Sequence, residues 1–119
     1  MLTEGRLAGG RTPRAIVCGN DEMAIGALIA LRARRLRVPA DVAVTGFDDI
    51  AAAHHLRPGL TTVRQPMREL GEQSVRMLLG RITDQAAPRQ SVMLPTRTVI
   101  RRSCGCRPRP TGKGQPRQA

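Results

Sequence analysis

Aromatic residues are almost missing from this sequence: Phe47 is the only one among 119 residues, with no Trp and no Tyr. A core must therefore be assembled from Leu, Ile, Val, Met and Ala. The aromatic platforms on which single-stranded nucleic acids stack are excluded. Cysteine is scarce too. Cys18, Cys104 and Cys106 make neither a disulfide framework nor a four-ligand zinc site, and Cys18, inside an apolar run, reads as a small buried residue. No stretch approaches the ~18 apolar residues of a membrane-spanning helix, and Met1 to Arg14 has no apolar core of signal-peptide length. These absences predict a cytoplasmic chain with no membrane partner, no metal and no cofactor.

Acidic residues are few, nine against 20 Lys and Arg, for a net charge of +11. Such a balance invites a nucleic-acid reading, but its location argues for a local cause. From Arg97 onward there are seven basic residues and no acidic one, which leaves the first 96 residues at +4. The excess belongs to the last strand and to a tail, 105–119, of Pro, Gly, Arg and Gln without apolar period, which predicts disorder. The length allows one domain, large enough to bury a core without disulfides. Its expected organisation is a loop or leader over 1–14, a folded unit over 15–104, and the basic tail.

Along the chain, Ala15 to Cys18 is a short continuous apolar run, the pattern of a strand covered on both faces. Asn20 or Asp21 can cap a helix running from Asp21 to about Leu36, with Ala24, Ala27, Leu28 and Leu31 as its apolar stripe. Ile25 and Ile29 widen that stripe beyond one packing face. Val38-Pro39 stops the helix. Asp41 to Phe47 reads as a second strand, so the unit is strand–helix–strand with parallel strands, an α/β fold. A small Ala51–Ala53 turn then leads through His54 and His55 to Pro58-Gly59. Thr61 to Val63 is a third short strand, and a second helix runs from Pro66 to near Ile82, with Arg68–Glu72 and Glu72–Arg76 pairs. Ser91 to Leu94 and Arg97 to Arg101 read as two further strands.

In an open parallel sheet, ligands bind beyond the carboxyl ends of the strands. Asn20-Asp21 closes the first strand and Asp48-Asp49 the second, an amide and carboxylates suited to a polyhydroxy or purine-like ligand. Capping is the competing explanation for Asn20 and Asp49. No nucleophile with an evident base, phosphate loop or metal-ligand spacing is present, so a binding module is expected rather than an enzyme. A phosphate-accepting receiver domain built on Asp48-Asp49 would need a supporting lysine, and the only one, Lys113, is in the tail.

The string Ala15-Ile-Val-Cys-Gly-Asn-Asp-Glu-Met-Ala-Ile-Gly-Ala-Leu and the later Leu36-Arg-Val-Pro-Ala-Asp-Val-Ala-Val-Thr-Gly-Phe-Asp-Asp-Ile closely resemble the LacI/GalR (lactose-repressor) family of regulators. Pro58-Gly-Leu-Thr-Thr-Val-Arg-Gln-Pro, Glu69-Leu-Gly and Arg101-Arg-Ser-Cys resemble its following blocks, in order, over about residues 12–104. The resemblance implies a parallel-sheet sandwich, part of the C-terminal subdomain of a periplasmic-binding-protein-like (type I) fold. It implies a sensor domain of a transcriptional regulator, usually a repressor, answering to a sugar, purine or related effector. Asn20, Asp48, Gln65 and Met67 would border or bind the effector, and Ile25, Ile29 and Leu56 would lie in a homodimer interface. No helix-turn-helix pattern stands in these residues, so operator DNA would be engaged only through an N-terminal domain outside this chain. A solute-binding transport protein of the same fold is the alternative.

Overall fold

In the computed structural model, residues 12–84 and 90–106 are described. Strand β1 (Ala15–Val17) is followed by α1 (Asp21–Ala33), β2 (Ala43–Thr45), the short α2 (Ala51–His55), β3 (Thr62–Arg64), α3 (Met67–Thr83) and β4 (Arg97–Val99). β1 and β2 pair in parallel, Ile16 opposite Val44, as a strand–helix–strand unit requires. β3 and β4 pair antiparallel, Val63 opposite Thr98. The two ladders are joined by isolated parallel bridges, Thr45 to Thr61 and Asp48 to Arg64.

α1 starts where its capping chemistry says it should. Asn20 is extended, and its Oδ1 accepts from the Met23 N–H at 2.8 Å, while Asp21 and Glu22 face the positive end of the helix. The helix ends three residues before the expected Leu36. Arg35 turns left-handed at φ 58°, and the Leu36 N–H reaches back to the Leu31 carbonyl at 3.0 Å, so the chain reverses before Pro39 is met. Asp41 then belongs to the loop and not to β2. Its carboxylate accepts from the Arg37 backbone N–H and from the Arg37 guanidinium, which together hold its pKa down to about 2.

The core consists of Ala24, Ala27 and Leu31 from α1, Val42 and Val44 around β2, and Cys18, Ala53 and Leu60, with Ile16, Leu28, Leu36, Val38, Ile50 and Leu56 at its margin. Leu31 and Leu60 are its largest side chains, each stabilising the fold by about 1.5–3 kcal/mol on burial. One expectation for β1 is overturned. Ala15 is exposed and Val17 is 82% exposed, so α1 covers one face and no described residue covers the other.

Further differences have physical causes. The Ala51–Ala53 turn is wound with His54 and His55 into α2. Ser91 to Leu94 form no strand; nothing in the described chain pairs with them, and Met93 is exposed. α3 forms as its period predicts, beginning at Met67 after Pro66, yet none of its residues is buried. Its Arg68–Glu72 pair closes at 2.8 Å, whereas Glu72 and Arg76 make no ion pair. The leader as far as residue 11, the loop 85–89 and the tail from residue 107 lie outside the described residues.

Candidate functional site

The carboxyl ends of β1, β2 and β3 lie on one rim. The Asp21 N–H donates to the Phe47 carbonyl at 2.8 Å and the Asp48 N–H to Val63 at 2.8 Å, so Asn20-Asp21, Phe47-Asp48 and the end of β3 are laced side by side. Gly46 permits this approach: a Cβ there would run into the Asp21 carboxylate and the Leu60 side chain. Asp21 is fully buried and accepts from the Thr62 hydroxyl at 2.6 Å and from the Ile50 N–H at 2.9 Å. It is thus a fastener beneath the rim, holding the start of α1, the start of α2 and β3 together.

Of the residues singled out from sequence, Asp48 and Gln65 are brought into direct contact, Gln65 Nε2 donating to Asp48 Oδ1 at 2.6 Å. That bond leaves the second carboxylate oxygen of Asp48 without a described partner. Asp48 has φ 109° and Asp49 φ 59°, two successive left-handed residues that aim their side chains apart. Asp tolerates this region better than most residues, and the strain is of order 1 kcal/mol. Asn20 stands on the same rim with Oδ1 used in capping and its amide N–H2 without a described partner. Met67 begins α3 just beyond Gln65 and is exposed.

Asp49 does not do what its position suggested. α2 is capped at Ile50 with no side-chain bond. The Asp49 side chain is instead completely buried between Arg101 (Nη2 to Oδ1, 2.6 Å) and Arg64 (Nε to Oδ2, 2.5 Å), with His54 Nε2 3.6 Å away. Burial pushes its carboxyl up, and the hydrogen bonds from Arg101 and then Arg64 outweigh that and hold it below the usual carboxylate range. Arg101 also donates to the Leu60 carbonyl at 2.7 Å. Ser103, fully buried, donates its hydroxyl to the Val44 carbonyl at 2.6 Å and accepts from the Thr61 N–H at 2.8 Å. Its own carbonyl accepts from the Val44 N–H at 2.9 Å. Sequence reading missed both residues, because their partners lie 41 to 59 positions away.

Among the described residues no cluster of three or more His, Cys, Asp or Glu side chains could hold a metal. At the strand ends stand the Asp48 carboxylate and the side-chain amides of Asn20 and Gln65, groups that accept and donate hydrogen bonds.

An α/β unit of this kind is the architecture of periplasmic-binding-protein-like domains. The chain matches the periplasmic binding protein-like domain over residues 2–104 and belongs to that family. Its relatives set it with the sensor domains of LacI/GalR-type regulators. The HTH-type transcriptional repressor PurR of Salmonella paratyphi B is 46% identical over 91 residues, covering 76% of this chain and 27% of the repressor. The solved complex of the transcriptional regulator CelR with cellobiose superposes with a TM-score of 0.71 at 39% identity, over 76% of this chain and 28% of that one. The lac repressor dimer bound to operator and the anti-inducer ONPF gives a TM-score of 0.74 at 37% identity, over 83% of this chain and 34% of that one. The chain spans about a quarter of the length of the curated relatives it matches.

Proposed function

We propose that the chain is the effector-sensing part of a LacI/GalR-type transcriptional regulator, non-enzymatic, in which Asp48 and Gln65 bind a small polar effector. The observation that carries the reading is the Asp48–Gln65 hydrogen bond at the strand ends, which leaves one Asp48 carboxylate oxygen without a described partner. A sugar or a purine-like ring presents the donors this set would accept. Met67 would form an apolar edge of the same pocket. The similarity to a cellobiose-bound regulator favours a sugar as the first class to test.

Homodimerisation through α1, with Ile25, Ile29 and Leu56, belongs to the same proposal, and the exposed Ile29 supports it. Operator DNA would be reached through a separate domain of the whole regulator. Transport is the weaker alternative, since the relatives are repressors. No described helix is long and apolar enough to cross a membrane.

The test is calorimetric titration of the whole regulator with a panel of sugars and purines, followed by the Asp48→Asn variant. Losing a charge-assisted hydrogen bond should weaken effector binding by about 1.5–3 kcal/mol, roughly ten- to a hundredfold. The melting temperature should barely change, because Asn still accepts from Gln65. Wild-type affinity combined with a lowered melting temperature would make Asp48 structural and sink the assignment.

A further inference from the structure

The segment 101–106 carries a second arrangement that effector binding does not use. Arg101 and Ser103 are fixed by the bonds described above, and the chain then turns sharply, the Gly105 N–H donating to the Arg102 carbonyl at 3.2 Å. Gly105 takes φ 72°, a left-handed conformation that other residues adopt at a cost. The turn folds Cys106 back over Cys104. The Cys106 N–H donates to Cys104 Sγ at 3.1 Å, and Cys106 Sγ lies 3.9 Å from the Cys104 carbonyl. Cys104 is half-buried and Cys106 exposed, whereas the third thiol, Cys18, is buried in the core.

We propose that Cys104 and Cys106 are a redox-active dithiol, reversibly oxidised to an intrachain disulfide by small-molecule disulfides. The two thiols are unequal in the way such chemistry needs. Burial pushes the Cys104 thiol up, and hydrogen bonding at its sulfur, chiefly from Cys106, whose N–H lies 3.1 Å away, holds it below the ordinary value. Cys106, as the donor of that pair, is held above the ordinary value. The Cys106 N–H aimed at Cys104 Sγ favours the thiolate there, which makes Cys104 the attacking group. It displaces one thiolate from the small disulfide, forming a mixed disulfide, and that thiolate takes up the proton Cys104 gave to solvent. Cys106 loses its proton and attacks Cys104 Sγ, releasing the second small thiol. Two protein thiols are oxidised and one small disulfide is reduced to two thiols. A ring closed across a single intervening residue is strained, and strained, exposed disulfides are the labile ones, suited to sensing and not to stapling.

The experiment uses the whole 119-residue chain. It is equilibrated without oxygen in oxidised and reduced glutathione at graded ratios and quenched in acid. Free thiols are then alkylated, and the fragment holding both cysteines is weighed. Oxidation should remove two hydrogens from that fragment with no glutathione attached, and excess reduced glutathione should restore them. Cys18→Ser should behave as wild type. Cys106→Ser should stop at one glutathione adduct on Cys104, and Cys104→Ser should acquire its adduct on Cys106 at least tenfold more slowly. Stable adducts on both cysteines of the wild type, two free thiols at every ratio, or a bridge to Cys18 would each overturn the proposal. Equal rates in the two single variants would overturn the order of attack.

Discussion

The carboxylate of Asp49 has no contact with solvent, yet it stays ionised because Arg64 and Arg101, drawn from separate stretches of sequence, each take one of its oxygens. Asn in its place would accept from one arginine at most and offer N–H to the other. We expect Asp49→Asn to cost about 2–3 kcal/mol. That is less than the 3–5 of a fully buried pair, because Arg64 is 41% exposed and screened. Thermal or urea unfolding beside Asp48→Asn checks the ranking; equal stabilities would dissolve the distinction between clamp and site. The pH dependence follows from the lowered folded pKa. Asp49 contributes stability that is fully present above the unfolded carboxylate value near 3.9 and is lost as pH falls through its lower folded value. Stability measured below about pH 4 should therefore fall less steeply in Asp49→Asn than in wild type. The Asp48–Gln65 contact was half legible: Asp48 closes an evident strand, whereas Gln65 was singled out only through the family resemblance. The Asp49 clamp was not, because Arg101 lies 52 positions away and an Asp after a strand looks locally like a cap.

At the level of elements, the two long helices are opposites. α1 lays Ala24, Ala27 and Leu31 into the core and leaves Ile29 65% exposed on its far side. If that outer stripe is a dimer contact, Ile29→Glu should make the whole regulator monomeric at micromolar concentration while leaving its far-UV circular dichroism unchanged and lowering its melting temperature only by the lost association. Sedimentation velocity would decide it, and a persistent dimer would remove α1 from the interface. Ile29 is the better probe than Ile25, which is half-buried and whose loss would confound folding with association. α3 leaves Leu70, Val75, Leu78, Leu79 and Ile82 largely exposed, and none of its residues is buried. Helices draw most of their stability from packing an apolar face, so α3 amides should exchange with deuterium faster than those of α1, by on the order of tenfold or more. Slower exchange in α3 would mean that its stripe is covered in solution. The period of α3 was readable from sequence; its exposure was not, since amphipathic spacing says which face wants cover and not what supplies it.

For the molecule as a whole, the weak place is the seam between the β1–β2 and β3–β4 ladders. It holds through Gly46 to Thr61, Asp48 to Val63, and the bonds of Ser103 to Val44 and Thr61. With the outer edge of β1 unpaired among described residues and one of its faces bare, the chain by itself should be only modestly stable. A cooperative melt above about 65 °C, the upper end of the usual mesophilic range, would contradict this. Truncation should separate tail from seam. Ending the chain after Cys106 is expected to leave the far-UV circular dichroism per remaining folded residue intact. Ending it after Ile100 removes Arg101 and Ser103 and strands the N–H groups of Val44 and Thr61, each at about 1–3 kcal/mol. The longer truncation should therefore abolish cooperative melting.

Ser103 also imposes an order of events during synthesis. A chain emerging from its amino end can wind α1 and close β1 on β2 early, because those contacts are local. Val44 and Thr61 must nonetheless wait, solvated, for a residue made 59 and 42 positions after them. The 61–64 segment can close the inner edge beyond Thr45, but until Ser103 arrives the Val44 position stays an open template, available to any passing strand. The hazard of misassembly is thus concentrated in the interval between making β2 and finishing residue 103, and it ends abruptly when that one serine slides into place.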